Sequence, residues 1–584
     1  MTKRHMDDVD GRTARNPRYT GVTAQKSAGA TYTPTSLADF VAWQMLQIAK
    51  LRPRGPIRIL DPSAGDGALL NALIKALPPA LRKRTQVRGY DIDRQALTLA
   101  AQRLRLDYPG LDIQLEHGDF LDVVSRPSAD TAAAPRFDLV IANPPYVRTQ
   151  IMGARQAQQL AREFGLSGRV DLYYPFLLGI SRVLDKEGVA GMITSNRFMS
   201  TRSGQAVRRE LLARFRLAQV WDMGDSKPFE AAVLPSVLLA RAAAADESHA
   251  GPIRFSSIYE SRHPATVEAP DALSALEADD DSVVGIADGR RFHVRHGLLD
   301  NGGDAAGVWR LATVAGDHWL ATVMRHTWAT FRRIGKIRVG VKSTADKVFI
   351  RDDWDQLPGG RPELLRPLIT RHEARRFKAD PSIHARRRKE ILYPHEVVDG
   401  RRAAVDLLRH PRAATYLEQH RDVLEARGYV IAAGRRWYEL WVPQDPAAWS
   451  SPKLVFPDIS EKPMFWMDTD GGVVNGECYW LQCEHANEEY LLWLALAVAN
   501  SSFIEAFYDH RFNNKLYAGR RRFITQYVEQ FPLPDPASRQ AREIVTMVRA
   551  IHAALPGAEA DQLARELDAR IWQAFGLTAA QAPA

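Results

Sequence analysis

The chain has 584 residues, 45% hydrophobic, 25% charged and 9% aromatic, which excludes a wholly disordered, fibrous or disulfide-scaffold protein. Its two cysteines, Cys478 and Cys483, point to a reducing, cytoplasmic setting. No stretch approaches the roughly 18 apolar residues of a membrane span, and the polar N-terminus is no secretory signal, so neither membrane nor export is expected.

Residues 1–25 are polar and read as a flexible N-terminal arm. From 26 to 242 short apolar runs alternate with helical patterns. Ile57–Leu60, Val87–Tyr90, Phe137–Ile141 and Val189–Ile193 read as buried strands, and Ala68–Leu77 and Arg94–Leu106 as helices between them. That rhythm predicts an α/β fold, a doubly wound parallel sheet with helices on both faces. Residues 243–310 break it and read as a connector with a few strands. Residues 311–535, dense in aromatic and arginine residues, form a second domain, and 536–584 end the chain in helices. The net charge of +9 is concentrated: residues 331–440 hold 25 basic and 15 acidic side chains, leaving the rest near neutral. Such a stretch suits a polyanion.

Asp61-Pro62-Ser63-Ala64-Gly65-Asp66-Gly67 follows the first strand and precedes a helix, a bend that lets backbone pass close to a ligand. It lacks the lysine and spacing of a phosphate loop and departs from the dinucleotide fingerprint. Asp61, Asp91, Asp119 and Asn143 close successive apolar runs at intervals of 30, 28 and 24 residues, about one βα unit each. In a doubly wound sheet those strand ends line one crevice, suited to a ligand that carries an amine and a ribose. Asp91 is placed for ribose hydroxyls. Asp119 is placed for a ring amine, with Ile92 and Phe120 as apolar faces for that ring.

Asn143-Pro144-Pro145-Tyr146 directly follows the fourth run. Two prolines fix φ and remove two N–H donors, leaving a rigid loop that presents carbonyl oxygens. The Asn143 side-chain oxygen and the Pro144 carbonyl can accept both hydrogens of an exocyclic amine. Holding both N–H bonds frees a lone pair otherwise delocalised into the ring, ready for attack on a methyl sulfonium. Tyr146 is expected to stack on a base extruded from its helix. Cys478, Cys483 and His485 are too few and too widely spaced for zinc, so no metal is expected.

Lys26–Pro34, Asp61–Gly67, Tyr90–Asp93, Gly118–Phe120 and Asn143–Tyr146 together resemble the gamma-group, TaqI-type and Eco57I-like DNA adenine-N6 methyltransferases of restriction–modification systems. The resemblance implies a Rossmann-like domain, 26–242, that binds S-adenosyl-L-methionine, followed by a mixed α/β DNA target-recognition domain. It puts Thr33, Asp61, Ala64 and Gly65 by the methionine moiety, Asp91 on the ribose, Asp119 and Phe120 at the cofactor adenine, and Asn143, Pro144 and Tyr146 at the target base. Asp171–Phe176, Thr194–Phe198 and Trp221–Gly224 look like further family elements, with Phe229 the candidate for the base's opposite face. Asp91 departs from the glutamate of many relatives. Val339–Thr344, Leu365–Ile369, Trp437–Trp441, Ser451–Pro457, Asn513–Lys515 and Phe531–Pro534 resemble recognition-domain landmarks, and Arg371–Lys378 and Arg386–Lys389 suit phosphates. The implied partners are duplex DNA and a separately encoded restriction endonuclease, the implied state a monomer. Two alternatives stay open: a methyltransferase acting on RNA or a protein glutamine amide, and a non-catalytic DNA-specificity module.

Overall fold

Strands with apolar side chains on both faces need cover on both, and the first part of the chain supplies it. The computed structural model describes residues 33–125, 136–147, 154–167, 170–226, 234–243, 251–261, 266–285, 289–380, 389–512, 516 and 520–583. They fall into two units, Met1–Thr313 and Val314–Ala584.

In the first unit the elements run α1 (Thr35–Ile48), β1 (Ile57–Asp61), α2 (Ala68–Ala76), β2 (Thr85–Asp91), α3 (Arg94–Asp107), β3 (Asp112–His117), α4 (Phe120–Ser125) and β4 (Phe137–Ala142). After them come α5 (Tyr173–Val183), β5 (Leu184–Ser195), α6 (Gln205–Arg214), β6 (Phe215–Asp222) and β7 (Pro235–Ala242). The sheet order is β3-β2-β1-β4-β5-β7-β6. Strands β1 to β5 are parallel, and β7 inserts antiparallel between β5 and β6. Side chains alternate between two cores: Leu60, Val140 and Ala142 enter one, Ile59, Leu139 and Ile141 the other. This alternation is why the strands read as continuous apolar runs. Chain order reverses between β1 and β4, the point where such sheets open a crevice.

The expected connector is not a separate segment. Its strands β8 (Arg254–Ser261), β9 (Ser282–Gly285), β10 (Arg291–Asp300) and β11 (Arg310–Ala312) extend the same sheet to eleven strands, β8 pairing parallel to β6. The cause is packing: Phe255, Ile258, Val284, Phe292 and Val294 are buried in the two cores that the first seven strands begin.

Helix α1 is seated directly on β5. A Cβ on Gly191 would lie 2.6 Å from Met45 Sδ and 2.8 Å from Val41 Cγ1, so glycine permits the approach. The seating fixes the start of α1, and with it Thr33.

The second unit is mixed. Arg338–Val339, Cys478–Leu481, Lys453–Pro457, Trp466–Asp468 and Phe377–Lys378 form a sheet in that order. Ile350–Arg351, Glu390–Leu392, Leu365–Ile369 and Val473–Val474 form another. Its longest described helices are α7 (Val314–Arg325), α8 (Tyr490–Ala499), α9 (Ser502–Phe512), α10 (Arg539–Ala554) and α11 (Ala558–Ala574). They share one core, in which Trp319, Phe503 and Trp572 meet. Among the described residues, a hairpin of β12 (His395–Val398) and β13 (Arg401–Ala404) forms a two-stranded sheet of its own.

Candidate active site

Strand β1 ends in Asp61, whose Oδ1 accepts the Ser63 N–H at 2.9 Å. The turn into α2 needs positive φ at Gly65 (51°) and Gly67 (81°). A Cβ on Gly67 would also press on Ala100 of α3, 3.1 Å away. Ala64, buried, donates its N–H to the Tyr90 carbonyl at 2.9 Å. Gly65 donates to Asp91 Oδ2 and Asp93 to Asp91 Oδ1, both at 2.8 Å, and Gly118 to the Asp91 carbonyl at 3.0 Å. Asp91 thus stitches together the ends of β1, β2 and β3. Asp119 Oδ1 accepts the Leu121 N–H at 2.9 Å and caps α4. Asp61, Asp91 and Asp119 are only 0, 6 and 7% exposed.

Ile92 is half-buried at this edge. Phe120 is not at the surface: it is 1% exposed, its ring between Tyr90 and Phe176 with centroids 6.1 and 5.8 Å away. Gly179 on α5 makes the room, since a Cβ there would lie 3.0 Å from the ring. Of the two apolar faces expected for a bound ring, Ile92 is half-buried and Phe120 buried, both packed in the same core.

The register of β1 on β4, Ile59 opposite Leu139 and Leu60 opposite Val140, carries on to set Asp61 level with Ile141, two residues before Asn143. The Asn143 amide is held at both ends. Its Nδ2 donates to Thr33 Oγ1 at 3.1 Å, and its Oδ1 accepts the Tyr146 hydroxyl at 2.8 Å. Pro144 is buried, Pro145 and Tyr146 half-buried, and the Tyr146 ring meets the edge of Tyr173 at 6.0 Å. Burial pushes the Tyr146 phenol up, so it stays protonated and a donor. As placed, the amide turns its NH₂ toward Thr33 and its oxygen toward Tyr146. Thr33 and Asn143 lie 110 residues apart, and nothing in their spacing signals the bond.

One cluster went unmarked in the sequence. At the carboxyl ends of β5, β6 and β8, buried Asp222 accepts the Tyr259 hydroxyl at 2.6 Å, Asn196 Nδ2 at 2.8 Å and the Gly224 N–H at 3.2 Å. Burial raises the Asp222 carboxyl, and these donors oppose the rise. Asn196 and Asp222 sit in segments with a family signature; Tyr259 comes from the supposed connector and carried no signal. Phe229 lies outside the described residues. Among the described residues no group of three His, Cys, Asp or Glu is placed to hold a metal, and no single helix is long and apolar enough to cross a membrane.

Residues 85–229 match the family described as Eco57I restriction-modification methylase, and residues 413–533 the TaqI-like C-terminal specificity domain. The Type II methyltransferase M.BanIII of Aneurinibacillus aneurinilyticus is 36% identical over 542 residues, 90% of this chain and 93% of its own length. The chain belongs to the gamma-group restriction–modification methyltransferases. Within that group, the Type II methyltransferase M.PaeR7I of Pseudomonas aeruginosa is 25% identical over 89% of both chains. The structure of the Type IIL restriction–modification enzyme MmeI in complex with DNA shares the fold at a TM-score of 0.56 and 11% identity, over 89% of this chain and 70% of that one. The first unit of this methyltransferase is thus the Rossmann-like fold of S-adenosylmethionine-dependent enzymes, and the second its specificity domain.

Proposed function

We propose that this methyltransferase moves a methyl group from S-adenosylmethionine to the N6 amine of an adenine flipped out of duplex DNA, as the modification half of a restriction–modification system. The observation that carries the reading is the Asn143 amide, held between Thr33 and Tyr146 just past the strand that pairs with the one ending in Asp61.

The donor set suits the cofactor. Ribose hydroxyls, an adenine amine and an α-ammonium all donate hydrogen bonds, and the three buried carboxylates accept them. Asp91, oriented by Gly65 and Asp93, takes the ribose. Asp119 takes the adenine amine beside Ile92. Asp61, with the turn at Ala64 and Gly65, takes the methionine end, where Thr33 has its second role. When bound, the cofactor supplies an electrophilic methyl on its sulfonium.

The remaining work falls to the chain. Asn143 Oδ1 and the Pro144 carbonyl accept both hydrogens of the target amine and localise its lone pair. The prolines hold these acceptors still. Tyr146 gives up its bond to Oδ1 as the amine arrives, and its ring stacks on the base, with Phe229 proposed for the opposite face. The specificity domain holds and reads the duplex, a separate endonuclease is the expected companion, and the enzyme works as a monomer. The test is transfer of labelled methyl to duplex DNA. Asn143→Ala should lower transfer about 100- to 1000-fold while cofactor binding persists; undiminished transfer refutes the chemistry.

A further inference from the structure

The β12–β13 hairpin stands out because its tip is exposed, with Arg402 alone reaching back, to the Gln444 carbonyl at 3.5 Å, among the bonds of the described residues. Val397 and Val398 are 42 and 47% exposed, and Asp399, Gly400, Arg401 and Arg402 are exposed with them. A two-stranded hairpin is marginal alone, and exposed apolar strands invite aggregation. This one is nevertheless built to hold its shape. Asp399 (φ 50°) and Gly400 (φ 70°) both have positive φ, as the tightest hairpin turns require. Both legs are braced: buried His395 accepts the Leu440 N–H at 3.1 Å, and the Val405 carbonyl accepts the Tyr438 hydroxyl at 2.7 Å. Tyr393, just before β12, donates its hydroxyl to the Pro443 carbonyl.

The register sets Val397 opposite Arg402 and Val398 opposite Arg401. Directly opposed residues share a face, so each face of the tip carries one valine and one arginine. The hairpin lies within residues 331–440, which hold the chain's excess positive charge, and outside the segment that matches the specificity domain. Arg366 lies over the Tyr393 ring, 5.2 Å from its centroid, at the hairpin's base.

We infer that the β12–β13 hairpin enters the major groove of the target duplex and reads bases with the Val–Arg pairs at its tip. The inference rests on the proposed DNA substrate. The major groove, about 12 Å wide, admits a two-stranded ribbon. Its guanine edge offers two acceptors to an arginine and its thymine edge a methyl to an apolar side chain, so one tip carries both kinds of reader. A stiff ribbon delivers them in fixed register, as base readout demands.

The test uses the full chain and maps methylated positions across duplex DNA of mixed sequence for Arg401→Gln, Arg402→Gln and Val398→Ser. Labelled-cofactor binding serves as a control and should match the unaltered enzyme, and melting temperature should match it for Arg401→Gln and Val398→Ser and shift only slightly for Arg402→Gln, which loses a bond to the Gln444 carbonyl. Each substitution should relax the recognised sequence at one or two neighbouring base pairs, with discrimination there falling on the order of 10- to 100-fold. An unchanged sequence at an unchanged rate overturns the inference, as does uniform weakening on all sequences, which marks a phosphate contact alone. If the unaltered enzyme methylates no DNA, the substrate reading fails instead, so the two failures are distinct.

Discussion

At the carboxyl ends of β1 to β4 the site rests on buried side chains that hold one another, whereas at the tip of the β12–β13 hairpin exposed side chains stand on a braced base. Gly65, Asp91, Gly118, Thr33, Asn143 and Tyr146 are each tied to a neighbour by hydrogen bonds of 2.8 to 3.1 Å. Val397, Val398, Arg401 and Arg402 face solvent. The difference fits the two proposed tasks. Chemistry on one amine needs acceptors fixed to a fraction of an ångström, and burial fixes them. Readout of a sequence needs side chains that reach beyond the fold, with stiffness supplied from below.

The sharpest way to break the comparison is Asn143→Ala. Loss of an acceptor that matters most in the transition state should lower kcat about 100- to 1000-fold, measured by methyl transfer at saturating cofactor and DNA, with cofactor Kd little changed. A comparable loss from Arg401→Gln on the preferred sequence would erase the division of labour.

The hairpin's base should respond to acid. His395 is fully enclosed, and burial, with Arg402 and Arg435 nearby, pulls its imidazole down to about 3 despite Glu439, 3.9 Å from Nδ1. A depressed folded value means the neutral ring's contribution is present above about 6.5 and lost as pH falls toward 3. Between pH 7.5 and 4 the second unit should lose about 3 kcal/mol from this group, read by denaturant unfolding. His395→Gln, which keeps an acceptor for Leu440, should flatten that dependence. An unaltered pH profile in the variant counts against the assignment.

Gly191→Ala tests whether α1 sets the catalytic amide. A Cβ at 2.6 Å from Met45 Sδ and 2.8 Å from Val41 Cγ1 forces those side chains, and with the stiff valine the helix, to shift, at a cost of about 1–3 kcal/mol in stability. Turnover should fall further than melting temperature alone implies, because Thr33 moves with α1. An unchanged kcat in a destabilised enzyme would disconnect the two.

The smallest effect is expected from Thr33→Val, which removes one partner of the Asn143 amide. A single hydrogen bond is about 1 kcal/mol, so kcat should drop about 5-fold and Thr33→Ser restore it. If Thr33 serves the cofactor alone, KM for cofactor rises and kcat stays.

The sequence carried the first unit's architecture unusually far. Strands β1, β2, β4 and β5 and helices α2 and α3 follow from apolar runs and helical spacing, because a doubly covered parallel sheet writes both into the chain. The Asp61, Asp91, Asp119 and Asn143 spacing was legible for the same reason. What was not legible depends on contacts between distant segments. Residues 254–312 look irregular because polar and charged residues run through their strands, as in Arg254–Ser261 and Arg291–Asp300, yet they complete the sheet. Thr33 meets Asn143, and Tyr259 meets Asp222, only once α1 and β8 are seated. Phe120 shows the reverse: its motif suggested a ligand face, and Gly179, on a different element, opened a core site for it. In the second unit charge was visible early, but exposure at Val397 and Val398 is a property of the folded surface.

The central claim is that the Asn143 amide grips the N6 amine of an extruded adenine. Its most direct test is to incubate the purified enzyme with S-adenosylmethionine and duplex DNA and identify the modified base by sequencing that distinguishes N6-methyladenine from N4-methylcytosine. N6-methyladenine at one defined sequence, formed about 100- to 1000-fold more slowly with Asn143→Ala, is the predicted result; methyl groups on cytosine, or a pattern that Asn143→Ala leaves intact, would contradict it.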